Sequence, residues 1–337
     1  MDNVDALLVV SFGGPEHPDH VMPFLRNVTA GRSVPDERLA VVAEQYALFG
    51  GRSPINDHCR ELVAAIEEAL EQTGTDLPVY WGNRNWEPFL SDTIQQMTED
   101  GVQNALAFVT SATSSYSGCR QYREDIERAR QAAGPEAPEI LKLRQYFDHP
   151  GFIEPMVDNT TAAIRDLASR TDLTPRLVFT AHSIPLSMAA SCDYEIQLRE
   201  ASRLVATRVQ PGADWDLVWQ SRSGPPQVPW LEPDICDHLV TLHDNEIGAV
   251  VVVPIGFVSD HMEVLYDLDT QAQEVANEQG MHFARARAAG ADPRFVSMVL
   301  ELIDEKVSGA PRRALSDLAE RPSPCAVGCC PPPPRRP

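Results

Sequence analysis

Basic residues and long apolar runs are both scarce in this sequence. The 337 residues include 28 Lys and Arg against 49 Asp and Glu, which gives a net charge of −21. Such a surface repels the phosphate backbone of nucleic acids and the anionic face of a membrane. The longest apolar run, Gly248–Phe257, has ten residues, whereas a membrane-spanning helix needs about 20. The composition argues against nucleic-acid binding and against an integral membrane segment.

Sequence signals of several common protein classes are also missing. The first residues, Met1–Asp5, are acidic and lack the basic start of a secretory signal peptide, so we expect a cytoplasmic protein. The chain has seven Cys, and an odd number argues against a disulfide framework. Neither a G-x-G-x-x-G fingerprint nor a G-x-x-x-x-G-K-[ST] phosphate loop occurs. The usual sequence evidence for dinucleotide or nucleotide binding is therefore absent.

Short apolar runs alternate with helical patterns along most of the chain. Runs rich in Val and Leu, with little alternation, are typical of parallel strands covered on both faces. The predicted strands are Ala6–Ser11, Pro78–Trp81, Ala105–Thr110, Leu177–Ala181, Leu217–Gln220 and Ala249–Pro254. The predicted helices are Glu37–Phe49, Cys59–Gly74, Glu154–Ser169, Tyr194–Val209 and Met262–Gln279. This alternation predicts an α/β fold. We expect two Rossmann-like lobes, 1–150 and 151–316, each a parallel sheet flanked by helices.

In parallel sheets ligands gather beyond the carboxyl ends of the strands, so the residues that follow each predicted strand are the first candidates. His182 follows the strand Leu177–Ala181. An imidazole there can ligate a metal or take a proton near pH 7; the alternative is a His that only hydrogen-bonds the loop backbone. Gly13 and Gly14 follow the first strand and indicate either a close approach to a ligand or a tight turn.

The segment after the most apolar strand is rich in acids. Glu263 and Asp267 are four residues apart and share a helix face, where two like charges are unfavourable unless a cation or a proton relieves them. A metal route or proton relay would explain them. The alternative is helix capping, because Asp260 and Glu263 have capping-box spacing. His261 and Glu263 can serve one site only if the helix begins after His261 or the turn is irregular.

The last residues, 317–337, form a Cys- and Pro-rich tail. Cys325, Cys329 and Cys330 fall within six residues, and three thiols so close together suit a soft metal or an iron–sulfur centre. A fourth ligand would come from elsewhere in the chain. The candidates are Cys59, Cys119, Cys192 and Cys236. The alternative is an exposed tail with incidental thiols.

Taken together, five segments of this sequence resemble the ferrochelatase family. They are Leu7–Pro15, Gly50–Ile55 (GGRSPI), Thr180–Pro185 (TAHSIP), Val218–Leu231 (which begins VWQSRSGP) and Val253–Asp269. The resemblance covers nearly the whole chain and implies insertion of Fe²⁺ into a porphyrin with release of two protons.

The resemblance also implies roles for residues of the predicted second lobe. His182 and Glu263 match the catalytic His and Glu of the family, which face each other across the porphyrin cleft, bind the incoming iron and accept pyrrole protons. His261, Asp267 and Asp269 would surround this pair or form steps on the metal path.

In the predicted first lobe, the resemblance implies contacts with the porphyrin. Ser53 and Tyr122 match hydroxyl donors suited to propionate oxygens, and Arg32 and Arg52 are candidate propionate partners by charge. Phe12 stands where some relatives carry a Tyr able to ligate product iron, and we expect it to stack on the macrocycle instead.

Some ferrochelatases hold a [2Fe–2S] cluster with three C-terminal Cys and one internal Cys. The resemblance implies that Cys119, Cys325, Cys329 and Cys330 do so here. The remaining thiols, Cys59, Cys192 and Cys236, are then expected to be buried and structural.

The sequence is compatible with more than one substrate and function. The compact chain has no apolar extension and resembles the actinobacterial group that uses coproporphyrin III. Protoporphyrin IX is the alternative porphyrin. A chelatase that inserts cobalt or another metal into a related tetrapyrrole is a second alternative, and a non-catalytic porphyrin or haem carrier is a third. We expect a monomer.

Overall fold

The computed structural model describes residues 4–31, 34–224, 227–318 and 325–332. The chain forms two compact units, each assembled from separate stretches of sequence. The first unit contains 1–110, 121–144 and 299–311, and the second contains 111–120, 145–298 and 312–337. The boundaries expected from the sequence, 1–150, 151–316 and 317–337, stay a prediction.

The first unit is built on a four-stranded parallel sheet in the order β2–β1–β3–β4. Its strands are β1 Ala6–Ser11, β2 Val79–Asn83, β3 Asn104–Val109 and β4 Glu139–Lys142. Its helices are α1 Val21–Val28, α2 Asp36–Ala47, α3 Ile55–Thr73, α4 Leu90–Glu99 and α5 Gln121–Ala133, with a 3₁₀ turn over Pro18–His20. One face of the sheet buries Leu8, Val10 and Ala107 against Ile94 and Ile126.

The second unit repeats this design with a parallel sheet in the order β6–β5–β7–β8. Its strands are β5 Arg176–His182, β6 Trp215–Gln220, β7 Ala249–Val253 and β8 His282–Arg285. Its helices are α6 Pro150–Ala168, α7 Leu186–Ala189, α8 Tyr194–Val209, α9 Ile235–Asp244, α10 Met262–Tyr266 and α11 Gln273–Glu278. The last helix, α12 Pro293–Val307, begins in the second unit, and its residues from 299 onward belong to the first. The core of the second unit packs Val250 and Val252 against Leu239 and Leu268.

The predicted fold class is confirmed, since both sheets are parallel and flanked by helices. All six predicted strands form, and the missed strands are β4 and β8, each at an edge of its sheet. An edge strand has one neighbour only, so it can be short and carry polar side chains such as Glu139 and Arg285. That composition hides it from a search for apolar runs.

The predicted helix Met262–Gln279 is regular only at its two ends. Residues Asp267–Ala272 form a π-helical turn between α10 and α11. A second π-helical turn, Tyr116–Arg120, precedes α5. Wide turns of this kind re-aim side chains and are frequent at functional sites. Both of these turns carry residues that the sequence singles out, namely Asp267 and Cys119.

Every helix of the described residues is too short or too polar to cross a bilayer.

Gly256 allows the loop after β7 to lie directly on β5. A Cβ added at Gly256 would come within 2.5 Å of the Cβ of Ala181, and the Gly256 amide donates to the Thr180 carbonyl at 3.0 Å. The neighbouring residue of β5 is His182, so this contact sets where the loop leaves the sheet.

Gly256→Ala should therefore overpack this contact. We expect the free energy of unfolding to fall by about 1–3 kcal/mol, measured by urea denaturation. Gly328→Ala is the control, because a Cβ there meets nothing within 4 Å. Equal stability of the two variants would contradict the close approach.

Candidate active site at the carboxyl ends of β5, β6 and β7

His182 is the last residue of β5 and pairs in register with Gln220, the last residue of β6. Its Nδ1 lies 2.6 Å from the Ser183 carbonyl oxygen. A carbonyl can only accept, so in the neutral ring Nδ1 carries the proton and Nε2 keeps its lone pair. The half-buried imidazole can therefore bind a metal ion or accept a proton through Nε2.

Tyr194, the first residue of α8, supports the backbone of His182. Its hydroxyl donates to the His182 carbonyl oxygen at 3.0 Å, and its ring stacks on Trp219 with centroids 5.9 Å apart. Burial raises the pKa of Tyr194 well above its usual value, so the hydroxyl stays protonated and remains a donor. Tyr194 was not among the residues expected from the sequence.

Asp267 is the most perturbed carboxyl of this region. Burial raises its pKa to about 6, and the negative charge of Glu263 adds to the rise, whereas the Ser221 hydroxyl, His182 and Gln220 act in the opposite direction. Gln220 Nε2 donates to Oδ2 of Asp267 at 3.3 Å, and the Ser221 hydroxyl donates to the same oxygen. Two donors thus hold a carboxyl that exchanges its proton near neutral pH.

Ser221 reaches Asp267 from an unusual backbone conformation. Its φ is +60°, in the left-handed region that residues other than Gly seldom adopt. Strain of this kind persists where the surrounding contacts hold it, and it concentrates at functional sites. The predicted site residues did not include Ser221 or Gln220, although both lie at the end of a predicted strand.

Glu263 lies in the first turn of α10 and is exposed to solvent. The helix begins at Met262, with His261 as its N-cap residue in extended conformation. This is the geometry that the sequence required for His261 and Glu263 to serve one site. His261 packs its ring edge-on against Phe257, with centroids 5.1 Å apart.

Asp269 lies in the π-helical turn, where its carboxylate is held by Arg285. Arg285 donates to both oxygens through Nε and Nη2, the latter at 2.9 Å. Arg285 Nη1 also donates to Asp260 at 2.8 Å. The sequence suggested Asp269 as a step on a metal path; the structure places it in an ion pair with a residue that sequence reasoning missed.

No three His, Cys, Asp or Glu side chains are arranged as a ready-made metal site within the described part of the chain. His182 and Glu263 each interact electrostatically with Asp267, so one imidazole and one carboxylate lie near this carboxyl. A metal ion bound there would need further ligands such as water or substrate. That arrangement suits proton transfer and transient metal binding.

In the first unit, Arg84 contacts two of the predicted porphyrin-binding residues. Its guanidinium lies 4.5 Å from the ring centroid of Tyr122 and 6.0 Å from that of Phe12, and it pairs with Asp125. Phe12 follows β1 and is 36% exposed, whereas Tyr122 is 5% exposed. The aromatic ring of Phe12 is therefore partly exposed to solvent, whereas Tyr122 is buried.

Two further predicted substrate contacts, Arg52 and Ser53, lie in the loop before α3. Ser53 is buried, and its hydroxyl oxygen accepts from the Ile55 amide at 3.5 Å. The exposed guanidinium of Arg52 pairs with Asp57. Arg32 lies outside the described residues.

Two of the tail cysteines, Cys329 and Cys330, lie near the π-helical turn that carries Cys119. Gln145 Nε2 donates to the buried Cys119 Sγ at 2.8 Å, and Arg120 Nη1 donates to the Cys329 carbonyl at 3.2 Å. Burial, followed by the nearby thiols of Cys329, Cys119 and Cys192, raises the pKa of Cys330 to about 12. The structure therefore brings Cys329 and Cys330 close to Cys119.

The remaining thiols differ in burial. Cys59 is buried, whereas Cys192, Cys236 and Cys325 are half-buried. The expectation that Cys59, Cys192 and Cys236 are all buried is thus met fully at Cys59 only.

A buried carboxylate holds the residues that precede the tail. Asp148 is fully buried and accepts from Arg312 Nη2 at 2.8 Å and from the Ser316 hydroxyl at 2.6 Å. Its backbone carbonyl accepts from the Leu315 amide at 2.9 Å. Charge-assisted bonds of this kind stabilise a buried carboxylate, and they hold the chain in place just before the tail.

A sequence model of the ferrochelatase family matches residues 4–307. The chain belongs to the ferrochelatase family. Over 98% of its length it is 54% identical to the coproporphyrin III ferrochelatase of Nocardia farcinica, covering 97% of that protein. It is 55% identical to the coproporphyrin III ferrochelatase of Mycolicibacterium smegmatis, covering 92% of each chain. It is also 51% identical to a ferrochelatase of Rhodopirellula baltica, over 99% of this chain and 95% of that one.

A solved structure carries the same fold at low sequence identity. SirB from Bacillus subtilis, determined with Fe³⁺, superposes with a TM-score of 0.55 at 12% identity, covering 91% of this chain and 97% of SirB. This similarity concerns the fold alone. The family assignment confirms the resemblance that the sequence segments carry.

The raised pKa of Asp267 predicts a pH-dependent stability. Between pH 4 and pH 6 the folded state binds more protons than the unfolded state, so the contribution of this carboxyl to stability falls as the pH rises through about 6. Between pH 5 and pH 7.5, the free energy of unfolding of the wild type should fall by about 1 kcal/mol relative to that of Asp267→Asn. Urea denaturation at both pH values measures this difference, and a constant difference would contradict the assignment.

Proposed function

We propose that this protein is a ferrochelatase that inserts Fe²⁺ into coproporphyrin III to give coproheme in haem biosynthesis. The observation that carries the proposal is that Asp267 lies close enough to both His182 and Glu263 for each to shift its pKa. The two actinobacterial relatives described above are named for the same substrate. Coproporphyrin III carries four carboxylates and needs no membrane delivery, which supports a cytoplasmic location. We also propose that the protein acts as a monomer.

The chemistry requires removal of two pyrrole protons as iron enters the macrocycle. In the proposed mechanism, Nε2 of His182 and the Glu263 carboxylate accept these protons and bind the incoming Fe²⁺ weakly enough to release it. Asp267 can take a proton from this pair, because its pKa of about 6 is closer to that of an imidazole than to that of an ordinary Asp. His261, beside Glu263, completes the polar surroundings.

The porphyrin contacts are proposed for the first unit. Phe12, with its exposed ring, stacks on the macrocycle. Ser53 donates its hydroxyl to a propionate, and Arg52 and Arg32 supply positive charge. Tyr122 is proposed as a second hydroxyl donor to a propionate, and its ring also lies against Arg84.

We also propose a [2Fe–2S] cluster in the second unit, held by Cys119, Cys325, Cys329 and Cys330. Four thiolates are the ligand set such clusters take, and the proximity of Cys119 to Cys329 and Cys330 supports the proposal. Gln145 would donate a hydrogen bond to a ligand sulfur, as protein groups around such clusters do. When bound, the cluster would supply one-electron chemistry or structural cross-linking of the tail.

Substitution of the catalytic pair tests the reaction. His182→Ala and Glu263→Gln should each lower the rate of anaerobic Fe²⁺ insertion into coproporphyrin III by about 10²–10⁴-fold, the usual effect of removing a general base. The rate is followed by loss of porphyrin fluorescence. His243→Ala and Glu274→Gln are the controls, since both side chains are exposed in the same unit.

The alternatives give distinct results in the same assay. A faster reaction with protoporphyrin IX would change the substrate, and a faster reaction with Co²⁺ would change the metal. Tight porphyrin binding by wild type without any metal insertion would make the protein a carrier and overturn the proposal.

The cluster has its own spectroscopic test. Protein purified without oxygen should be reddish-brown, and Cys119→Ser should abolish the visible absorption and the bound iron and sulfide. Cys236→Ser is the control, because this thiol is not among the proposed ligands. Colourless wild-type protein without iron would contradict the cluster.

A further inference from the structure

Arg285 ends the edge strand β8 and lies against the segment that carries Glu263. Its side chain is 13% exposed, and all three of its nitrogens donate hydrogen bonds. Nε and Nη2 contact Asp269, Nη1 contacts Asp260 at 2.8 Å, and Nη1 also contacts the Ala286 carbonyl at 3.1 Å. The planar guanidinium therefore joins two separate carboxylates in a fixed orientation.

These two carboxylates flank the α10 helix on both sides in sequence. Asp260 precedes α10, and its Oδ1 also accepts from the Ala288 amide at 3.1 Å. Asp269 lies in the π-helical turn that follows α10. Glu263 sits between the two anchors, on a helix of five residues that is too short to hold its orientation unaided.

We propose that Arg285 is the positioning residue for Glu263. It fixes the start of α10 through Asp260 and the π-helical turn through Asp269. This assignment rests on the proposed function, since it names how a catalytic carboxylate is held. It also keeps Asp260 and Asp269 paired with a cation, so that they do not compete with Glu263 for Fe²⁺.

Arg285→Met removes the clamp while keeping an unbranched apolar stem. We expect kcat for iron insertion to fall by about tenfold or more, because displacing a catalytic group by an ångström has effects of that size. The dissociation constant for coproporphyrin III, measured by fluorescence quenching, should stay within about twofold. Arg285→Lys keeps the charge but not the fork, so it should restore part of the lost kcat.

A double-mutant cycle separates positioning from general loss of structure. If Arg285 acts through Glu263, adding Arg285→Met to Glu263→Gln should cause no further loss of kcat. Arg176→Met is the matched control. Arg176 pairs with both oxygens of Asp216, at 2.7 and 3.2 Å, but it begins β5 at the opposite end of the same sheet.

Hydrogen exchange tests whether Arg285 holds Asp260 and Asp269 in place, without measuring iron insertion. Peptides covering 260–272 should exchange faster in Arg285→Met than in wild type and should be unchanged in Arg176→Met. If Arg285→Met does not fold, Asp260→Asn replaces it and should show the same direction in both measurements.

The outcomes are distinct. Unchanged kcat in Arg285→Met, a further loss in the Glu263→Gln background, or unchanged exchange over 260–272 would overturn the positioning role. Wild-type protein that inserts no iron would instead overturn the proposed function, and the exchange measurement would still decide whether Arg285 holds the segment.

Discussion

The parallel pairing of β5 with β6 sets the position of the whole candidate site. The register joins His182 to Gln220, so both strands end at one level and the chain turns away there with Ser183 and Ser221. Side chains alternate along a strand, and a slip of one residue would turn His182 to the other face of the sheet. The Ser183 carbonyl then selects the tautomer of His182, and the Ser221 hydroxyl reaches Asp267.

Several acidic side chains lie close together at the carboxyl ends of the second sheet, and this proximity determines the electrostatics of the candidate site. Burial raises the pKa of Asp267 to about 6, and the nearby negative charge of Glu263 adds to the rise. Ser221 and Gln220 offset part of this rise. On the other side of the π-helical turn, Asp269 is compensated by Arg285. Of these neighbouring acids, Asp267 can therefore hold a proton, whereas Asp269 anchors the backbone through Arg285.

The tail depends on the second unit for its position. Asp148 holds the chain just before the tail through Arg312, and Arg120 holds the Cys329 carbonyl. Cysteines more than 200 residues apart in sequence come together in this way.

What the sequence by itself determined is local in origin. Apolar runs specified the buried strands, including β1 and β5, because a strand covered on both faces must be apolar throughout its length. His182 at a strand end and the start of α10 after His261 were also evident from the chain. Only the tertiary structure decided the edge strand β8, the π-helical turn Asp267–Ala272 and the clamp by Arg285. Each of these three features depends on contacts with residues distant in sequence. Strand β8 needs a neighbouring strand, the π-helical turn contains a buried carboxyl, and the clamp is an ion pair. Such contacts leave no periodic pattern in the local sequence.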